Sequence, residues 1–323
     1  MGPTPLLVLL AAANALAPET PPAIPYCGGP FARVQTCPEQ IAFNDEAYDR
    51  MTVAVRVGGN PYRFLVDTGA NRSVVSSQLA DALKLPSRGG IEVHSAAGIS
   101  TVSMVRVPRI DLASRSVDGL DAPVLQAANM GADGILGVDT LKAQRIVIDF
   151  KNLQMYLTPS PKREPRLLAN EIVITGRLKS GHLILTEVLV EGEPVIAVVD
   201  TGSQITMGNF ALRRILTRHR KIGAAVPVQT IAVTGQVLSG DLHMIRAVDL
   251  DGVSLNNLEI MFANAETFRA IGRKDKPTLL LGMNALRAFE QVVIDLDTRK
   301  LRLRLPRSTD DQPRLEGAAL ASR

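Results

Sequence analysis

Ile196-Ala-Val-Val-Asp-Thr-Gly-Ser203 and its earlier counterpart Phe64-Leu-Val-Asp-Thr-Gly-Ala70 each carry a short apolar stretch straight into Asp-Thr-Gly. An apolar run of that length reads as a buried strand, and glycine just after the acid supplies a sharp turn. Asp67 and Asp200 are therefore expected at the ends of buried strands, on tight loops. A carboxylate in such a place costs free energy unless hydrogen bonds or chemistry require it there. One Asp-Thr-Gly is ordinary turn chemistry. Two in matching contexts need a common cause, and their surroundings supply it.

Before the first acid, Val53, Val55 and Val57 alternate with wetter residues, the period-two mark of a strand, and Gly58-Gly-Asn-Pro61 turns the chain back toward Asp67. Before the second, residues 183–190 make a strand and Glu191-Gly-Glu-Pro194 the turn. After each acid the pattern predicts a short helix (77–85 and 210–220) and a hairpin. One hairpin, 91–94 with 99–107, bends at Ala97-Gly98; the other, 228–233 with 236–242, bends at Thr234-Gly235. Then come Ile135-Leu136-Gly137 and Leu280-Leu281-Gly282, and finally closing hairpins over 145–157 and 292–303. The same landmarks recur in the same order, which is the signature of an internal duplication. It sets lobes at 51–158 and 183–305, joined by a Pro-rich, charged linker over 159–182. The fold class that follows is all-β with short helices.

A chain of 323 residues with 46% hydrophobic and 4% aromatic residues and no Trp builds aliphatic cores. Its net charge of +4 is mild, and with no nucleic-acid-reading motif it gives no reason to expect a nucleic-acid partner. His94, His182, His219 and His243 are scattered, without a His-Glu-x-x-His, so neither a metal nor another cofactor is expected. No Gly-x-Ser-x-Gly elbow is present. Asp111, Asp139 and Asp295 read as caps or surface charges. The basic run Arg213-Arg-Ile-Leu-Thr-Arg-His-Arg-Lys221 reads as a solvated helix face, or else as a dock for a membrane surface or acidic partner.

Residues 1–17 form an apolar run ending in small residues, which reads as a secretory signal peptide; lacking Lys and Arg at its start, it also fits an uncleaved anchor or a misplaced start of the chain. Export is the expected localisation. Cys27 and Cys37, the two cysteines of the chain, then suit one disulfide. They lie in an irregular, Pro-rich segment over 18–50 that could serve as a pro-segment, and residues 306–323 read as a tail.

Two lobes each ending a strand in Asp-Thr-Gly suit a pseudo-twofold arrangement that brings Asp67 and Asp200 together. Adjacent carboxyls cannot both ionise easily, so they share a proton and their pKa values split. The ionised partner can accept a proton from water while the protonated one donates to a carbonyl, which is general acid–base hydrolysis. Thr68 and Thr201 would brace the two loops, and Gly69 and Gly202 would let backbone N–H groups approach the acids. Ser203 against Ala70 is an asymmetry. A Ser203 hydroxyl donated to Asp200 would make Asp200 the base and Asp67 the proton holder.

Val66-Asp-Thr-Gly-Ala70 and Val199-Asp-Thr-Gly-Ser203, each followed by its apolar-apolar-Gly motif, resemble the aspartic proteases of the retropepsin and pepsin kind over about residues 50–306. The resemblance implies two β-barrel lobes related by a pseudo-twofold axis and hydrolysis of a polypeptide substrate by Asp67 and Asp200. It also implies that Ile135-Leu136-Gly137 and Leu280-Leu281-Gly282 bury the acid loops, and that flaps at Ala97-Gly98 and Thr234-Gly235 cover the substrate. Two similar flaps without Tyr look more like the retropepsin half. With the leader, the chain looks most like tandem-lobe bacterial periplasmic forms of the PerP type, which implies an exported or membrane-anchored substrate. With both acids in one chain, a monomer suffices. The alternative reading is a catalytically silent protein-binding module on the same scaffold.

Overall fold

The computed structural model describes residues 41–42, 52–112, 115–142, 144–179 and 181–306. The leader at 1–17, most of the 18–50 segment, the Cys27–Cys37 pair and all but the first residue of the tail lie outside the described residues.

The molecule is all-β with short helices, in two lobes. The first elements are β1 (Ile41–Ala42), β2 (Thr52–Val57), β3 (Asn60–Val66), β4 (Val74–Ser76), α1 (Ser77–Ala82), β5 (Ser87–Ser95), β6 (Gly98–Asp111) and β7 (Ser116–Leu125). Then follow α2 (Ala127–Met130), β8 (Gly134–Leu136), α3 (Val138–Leu141), β9 (Gln144–Asp149) and β10 (Gln154–Pro159). Strands β2 to β8 make a seven-stranded sheet in the order β2-β3-β8-β4-β7-β6-β5, and β2 also pairs with β6. The valines of β2 are buried and the residues between them face outward, as its alternation requires.

The second half continues with β11 (Glu171–Thr175), β12 (Arg177–Lys179), β13 (His182–Val190), β14 (Glu193–Val199), β15 (Thr206–Gly208), α4 (Phe210–Arg218), β16 (Val226–Ile231), β17 (Val237–Leu250) and β18 (Val253–Ala263). It ends with α5 (Glu266–Ala270), β19 (Thr278–Leu281), α6 (Met283–Leu286), β20 (Gln291–Asp295) and β21 (Lys300–Arg304). Its eight-stranded sheet runs β12-β13-β14-β19-β15-β18-β17-β16, with β13 also pairing β17. The two lobe sheets thus share one plan. In each, the strand leading to the acid lies parallel to the strand of the apolar-apolar-Gly motif. Val66 pairs with Leu136 in β3–β8, and Val199 with Leu281 in β14–β19.

The closing hairpins β9–β10 and β20–β21 leave their lobes and join in a third, six-stranded sheet, β1-β10-β9-β20-β21-β11. Ile146, Ile148, Ile294, Leu301 and Leu303 on it are buried in one hydrophobic cluster with residues of both lobes, among them Val66, Leu136, Val199 and Leu281. The linker region contributes to this frame. Strand β11 pairs with β21, and buried Arg302 forks onto Glu171 with two hydrogen bonds of 2.8 Å. That contact holds the Glu171 carboxyl below its ordinary range.

Several local expectations change. Both helices after the acids are shorter than their patterns, α1 ending at Ala82 and α4 at Arg218; just beyond, Lys84 and Arg220 take left-handed φ values of 49° and 54° and turn the chain away. Side-chain caps fix the starts, Ser76 Oγ accepting from Leu79 N at 3.1 Å and Asn209 Oδ1 from Leu212 N at 3.0 Å. Asp295 is a cap but not a surface charge. It is fully buried, accepting from Ser160 Oγ at 2.8 Å, from Thr298 N at 3.0 Å and from Arg145 Nε at 3.3 Å.

Candidate active site

Each acid sits where the fold crosses itself. The backbone N–H of Asp67 donates to Leu136 O and that of Asp200 to Leu281 O, both at 3.0 Å, so each acid follows directly from a parallel strand pair. The next glycine amide returns to its own acid, Gly69 N to Asp67 Oδ1 at 2.7 Å and Gly202 N to Asp200 Oδ1 at 3.0 Å. These bonds favour an ionised carboxyl and fix its plane.

The loops interlock through threonine. Thr68 Oγ1 donates to Val199 O at 2.9 Å and accepts from Thr201 N at 3.2 Å. Thr201 Oγ1 donates to Val66 O at 2.7 Å and accepts from Thr68 N at 3.1 Å. Both threonines are buried, so each hydroxyl satisfies backbone groups that water cannot reach. His182, also buried, places Nδ1 3.4 Å from Thr68 O.

The glycines then let the acids meet. A β-carbon on Gly69 would stand 2.5 Å from Asp200 Oδ1, and one on Gly202 would overlap the Asp67 carboxyl. Each glycine therefore faces the acid of the opposite lobe. Burial, then the charge of neighbouring Asp67, pushes the Asp200 carboxyl up to about 8, and a hydrogen bond between the two carboxyls adds to the effect. Asp200 is buried while Asp67 is only half-buried.

The Ser203 hydroxyl does not donate to Asp200, although the Ser203 backbone does. Its hydroxyl donates to Ile205 O at 2.8 Å, a local turn bond that leaves the carboxylate to the backbone. What raises the Asp200 carboxyl is first its burial, and Asp67 beside it is the less buried of the two.

The apolar-apolar-Gly motifs pack directly behind the acid loops. Val138 N donates to Ala70 O and Met283 N to Ser203 O, both at 2.8 Å. A β-carbon on Gly137 would lie 2.8 Å from Ala70 O, and one on Gly282 2.9 Å from Ser203 O. Leu136 and Leu281 enter the cluster shared by both lobes. Ile135 and Leu280 point to the other face of their sheets, into two separate smaller clusters.

Sequence reasoning missed a matched pair of supports. Ser73 Oγ accepts from Gly137 N at 2.9 Å and donates to Asp139 Oδ1 at 2.6 Å. Thr206 Oγ1 accepts from Gly282 N at 3.1 Å and donates to Asn284 Oδ1 at 2.7 Å. Asp139 is thus a brace of the site as well as a cap. Aligning the two copies residue by residue would have exposed both supports, since each occupies the same offset from its Asp-Thr-Gly or its glycine motif.

The flap hairpins cross. Ala96 and Ala97, at the tip of β5–β6, pack on the second-lobe cluster of Ile184, Val198, Met207 and Leu280. Val233, near the tip of β16–β17, packs on the first-lobe cluster of Leu65, Val74, Met130 and Ile135. Glu266 N donates to Ala96 O at 2.9 Å, and Thr234 Oγ1 to Ser95 Oγ at 2.9 Å. Gly98 approaches Gln236, and a β-carbon on Gly235, at φ 82°, would lie 2.8 Å from Asn129 Nδ2. Each tip is therefore received by the other lobe, closing over the side on which Ile135 and Leu280 lie.

Two duplicated β-lobes that meet through interlocked Asp-Thr-Gly loops, with two crossing hairpins above, define the bilobal acid-protease fold. A family model described as aspartyl protease matches residues 53–140 and 186–285, more than half of the chain, and the chain belongs to that family. No curated protein matches it.

Proposed function

We propose that this protein is an aspartic endopeptidase, its water activated between Asp67 and Asp200. The carrying observation is the meeting of the two acids, Gly69 facing Asp200 and Gly202 facing Asp67 across the interlocked loops, with burial and the neighbouring charge raising the Asp200 carboxyl, since a pair holding one proton can act as acid and base in the same step. Asp67 accepts a proton from the attacking water while Asp200 gives its proton to the carbonyl oxygen of the scissile bond. The tetrahedral gem-diol then collapses as Asp67 passes its proton to the departing amine nitrogen and Asp200 takes one back from a gem-diol hydroxyl, which breaks the C–N bond and restores the pair. The threonine interlock and glycine amides hold both carboxyls in place without further reorganisation, which is where preorganisation lowers the barrier.

The substrate is a polypeptide threaded beneath the crossed flaps. With residues 1–17 read as a leader, the chain fits the tandem-lobe periplasmic form, acting on an exported or membrane-anchored protein as a monomer. Cleavage of a quenched peptide library by wild type, Asp67→Asn and Asp200→Asn tests the dyad; equal rates in all three would remove it from the reaction. Exported proteins that accumulate uncut when Asp200→Asn replaces the wild type would identify the substrate.

A further inference from the structure

We infer that helix α4 and the turn after it dock the protein on an anionic lipid surface. The inner face of α4 is Ala211, Leu212 and Leu216, all buried. Its outer face carries Phe210, Arg214 and Arg218 at successive four-residue steps, so they lie in one stripe. Phe210 is 38% exposed, Arg214 and Arg218 are exposed, and Arg220 follows on the surface.

The charge here is left over after local pairing. Arg213 is held by Asp241 at 2.7 Å, His219 and Lys221 both by Glu193 at 2.7 and 2.6 Å, and Arg246 by Glu191 at 2.9 Å. Those acids are consumed by other cations. Arg214, Arg218 and Arg220 make no ion pair among the described residues. A guanidinium fork matches phosphate oxygens two at a time. Phe210, with Arg213 5.9 Å over its ring, gives the stripe an apolar end suited to the headgroup–acyl boundary. An acidic protein would satisfy the arginines but leaves the exposed ring unexplained. Read as a signal or an anchor, the apolar run at residues 1–17 would bring the chain to a membrane. The inference is independent of the dyad.

Co-sedimentation of the full chain with phosphatidylcholine–phosphatidylglycerol vesicles, against neutral phosphatidylcholine vesicles, is the test. Any insertion of the leader contributes to both, so the difference between them reads the arginine face. Each arginine near an anionic surface is worth about fivefold in binding, so three give about a hundredfold. The triple change Arg214→Gln, Arg218→Gln and Arg220→Gln should abolish the difference, and Phe210→Ser should reduce it. The equal-charge control Lys84→Gln, Lys179→Gln and Lys274→Gln should keep it, and raised salt should erase it in the wild type. Peptide cleavage and thermal melting of the variants show that they remain folded. Equal binding to both vesicles, a control that loses as much as the α4 variant, or capture by polyglutamate without a vesicle difference would each overturn the inference.

Discussion

Gly202 faces Asp67 so closely that a β-carbon on the glycine would overlap all three carboxyl atoms of the acid. A residue that bounds the first acid therefore belongs to the second lobe. Gly202→Ala is expected to push Asp67 out of line and lower kcat by about a hundredfold or more, with KM little changed. Gly223→Ala, where a β-carbon meets nothing within 4 Å, should leave both constants alone. Steady-state kinetics on a cleaved peptide separates the two cases.

The threonine interlock is a stability device in its own right. Thr68→Val keeps the shape but removes a donor to Val199 O and orphans the N–H of Thr201, both in a buried setting. The expected loss is about 2–4 kcal/mol, read as a lower urea midpoint at constant slope. Thr68→Ser, which keeps the hydroxyl, should cost much less.

Asp200 carries opposite prescriptions for activity and stability. Its folded pKa is raised from 3.8 to about 8. The native state therefore holds a proton that the unfolded chain releases above about pH 4. The sign follows: the proton's contribution is whole below the unfolded value and is lost as pH rises through the folded one, by about 1.4 kcal/mol per pH unit between them. Asp200→Asn should abolish cleavage yet raise the melting temperature at neutral pH and flatten its fall with pH. In the wild type, activity should decline above about pH 8 as the shared proton leaves. A melting profile of Asp200→Asn parallel to the wild type from pH 4 to 8 would contradict the assignment.

Because the Ser203 hydroxyl is spent on Ile205 O, a serine at the matching position of the first lobe has no reason to touch the dyad. Ala70→Ser should leave the acidic limb of the pH–rate profile where it is. A downward shift would show that a hydroxyl there reaches the carboxylate after all.

His243 gives the fold an acid-sensitive point away from the cleft. Burial, then nearby Arg213, lowers its pKa below the usual 6.5. Among the described residues neither ring nitrogen has a well-formed hydrogen bond, and the ring meets Phe262 edge-on at 5.4 Å. A depressed histidine stabilises the fold above the unfolded value and stops doing so as pH falls through the folded one. His243→Leu should therefore weaken the drop in melting temperature below about pH 6.5. His182, whose pKa is likewise lowered by burial, keeps part of that drop in place.

The sites that repeat were legible in the sequence and the sites that do not were hidden. Asp-Thr-Gly, the apolar-apolar-Gly motifs and the flap turns occur twice, so each copy interprets the other. The strand pattern of β2 was plain because Val53, Val55 and Val57 alternate over one wet face. Strands β7 and β18 left no clear pattern. Gly119 and Pro123 interrupt the first and Asn256-Asn257 the second, and pairing with β6 and β17 carries them instead. The crossing of the flaps, with Ala97 on the second lobe and Val233 on the first, is a tertiary choice that no local pattern encodes. The role given to Ser203 failed for a simpler reason. A hydroxyl two residues from a free carbonyl satisfies it locally before it can reach a carboxylate across the turn.

The central sheet carries one last consequence. Strands β9 and β20 pair over five residues, from Gln291–Asp149 to Asp295–Arg145, and β11 returns from the linker to cover β21. Continuity of the chain across residues 160–170 is therefore not what holds the halves together. A cut there would yield two polypeptides, each bringing one acid, that the shared sheet would still hold as one folded body.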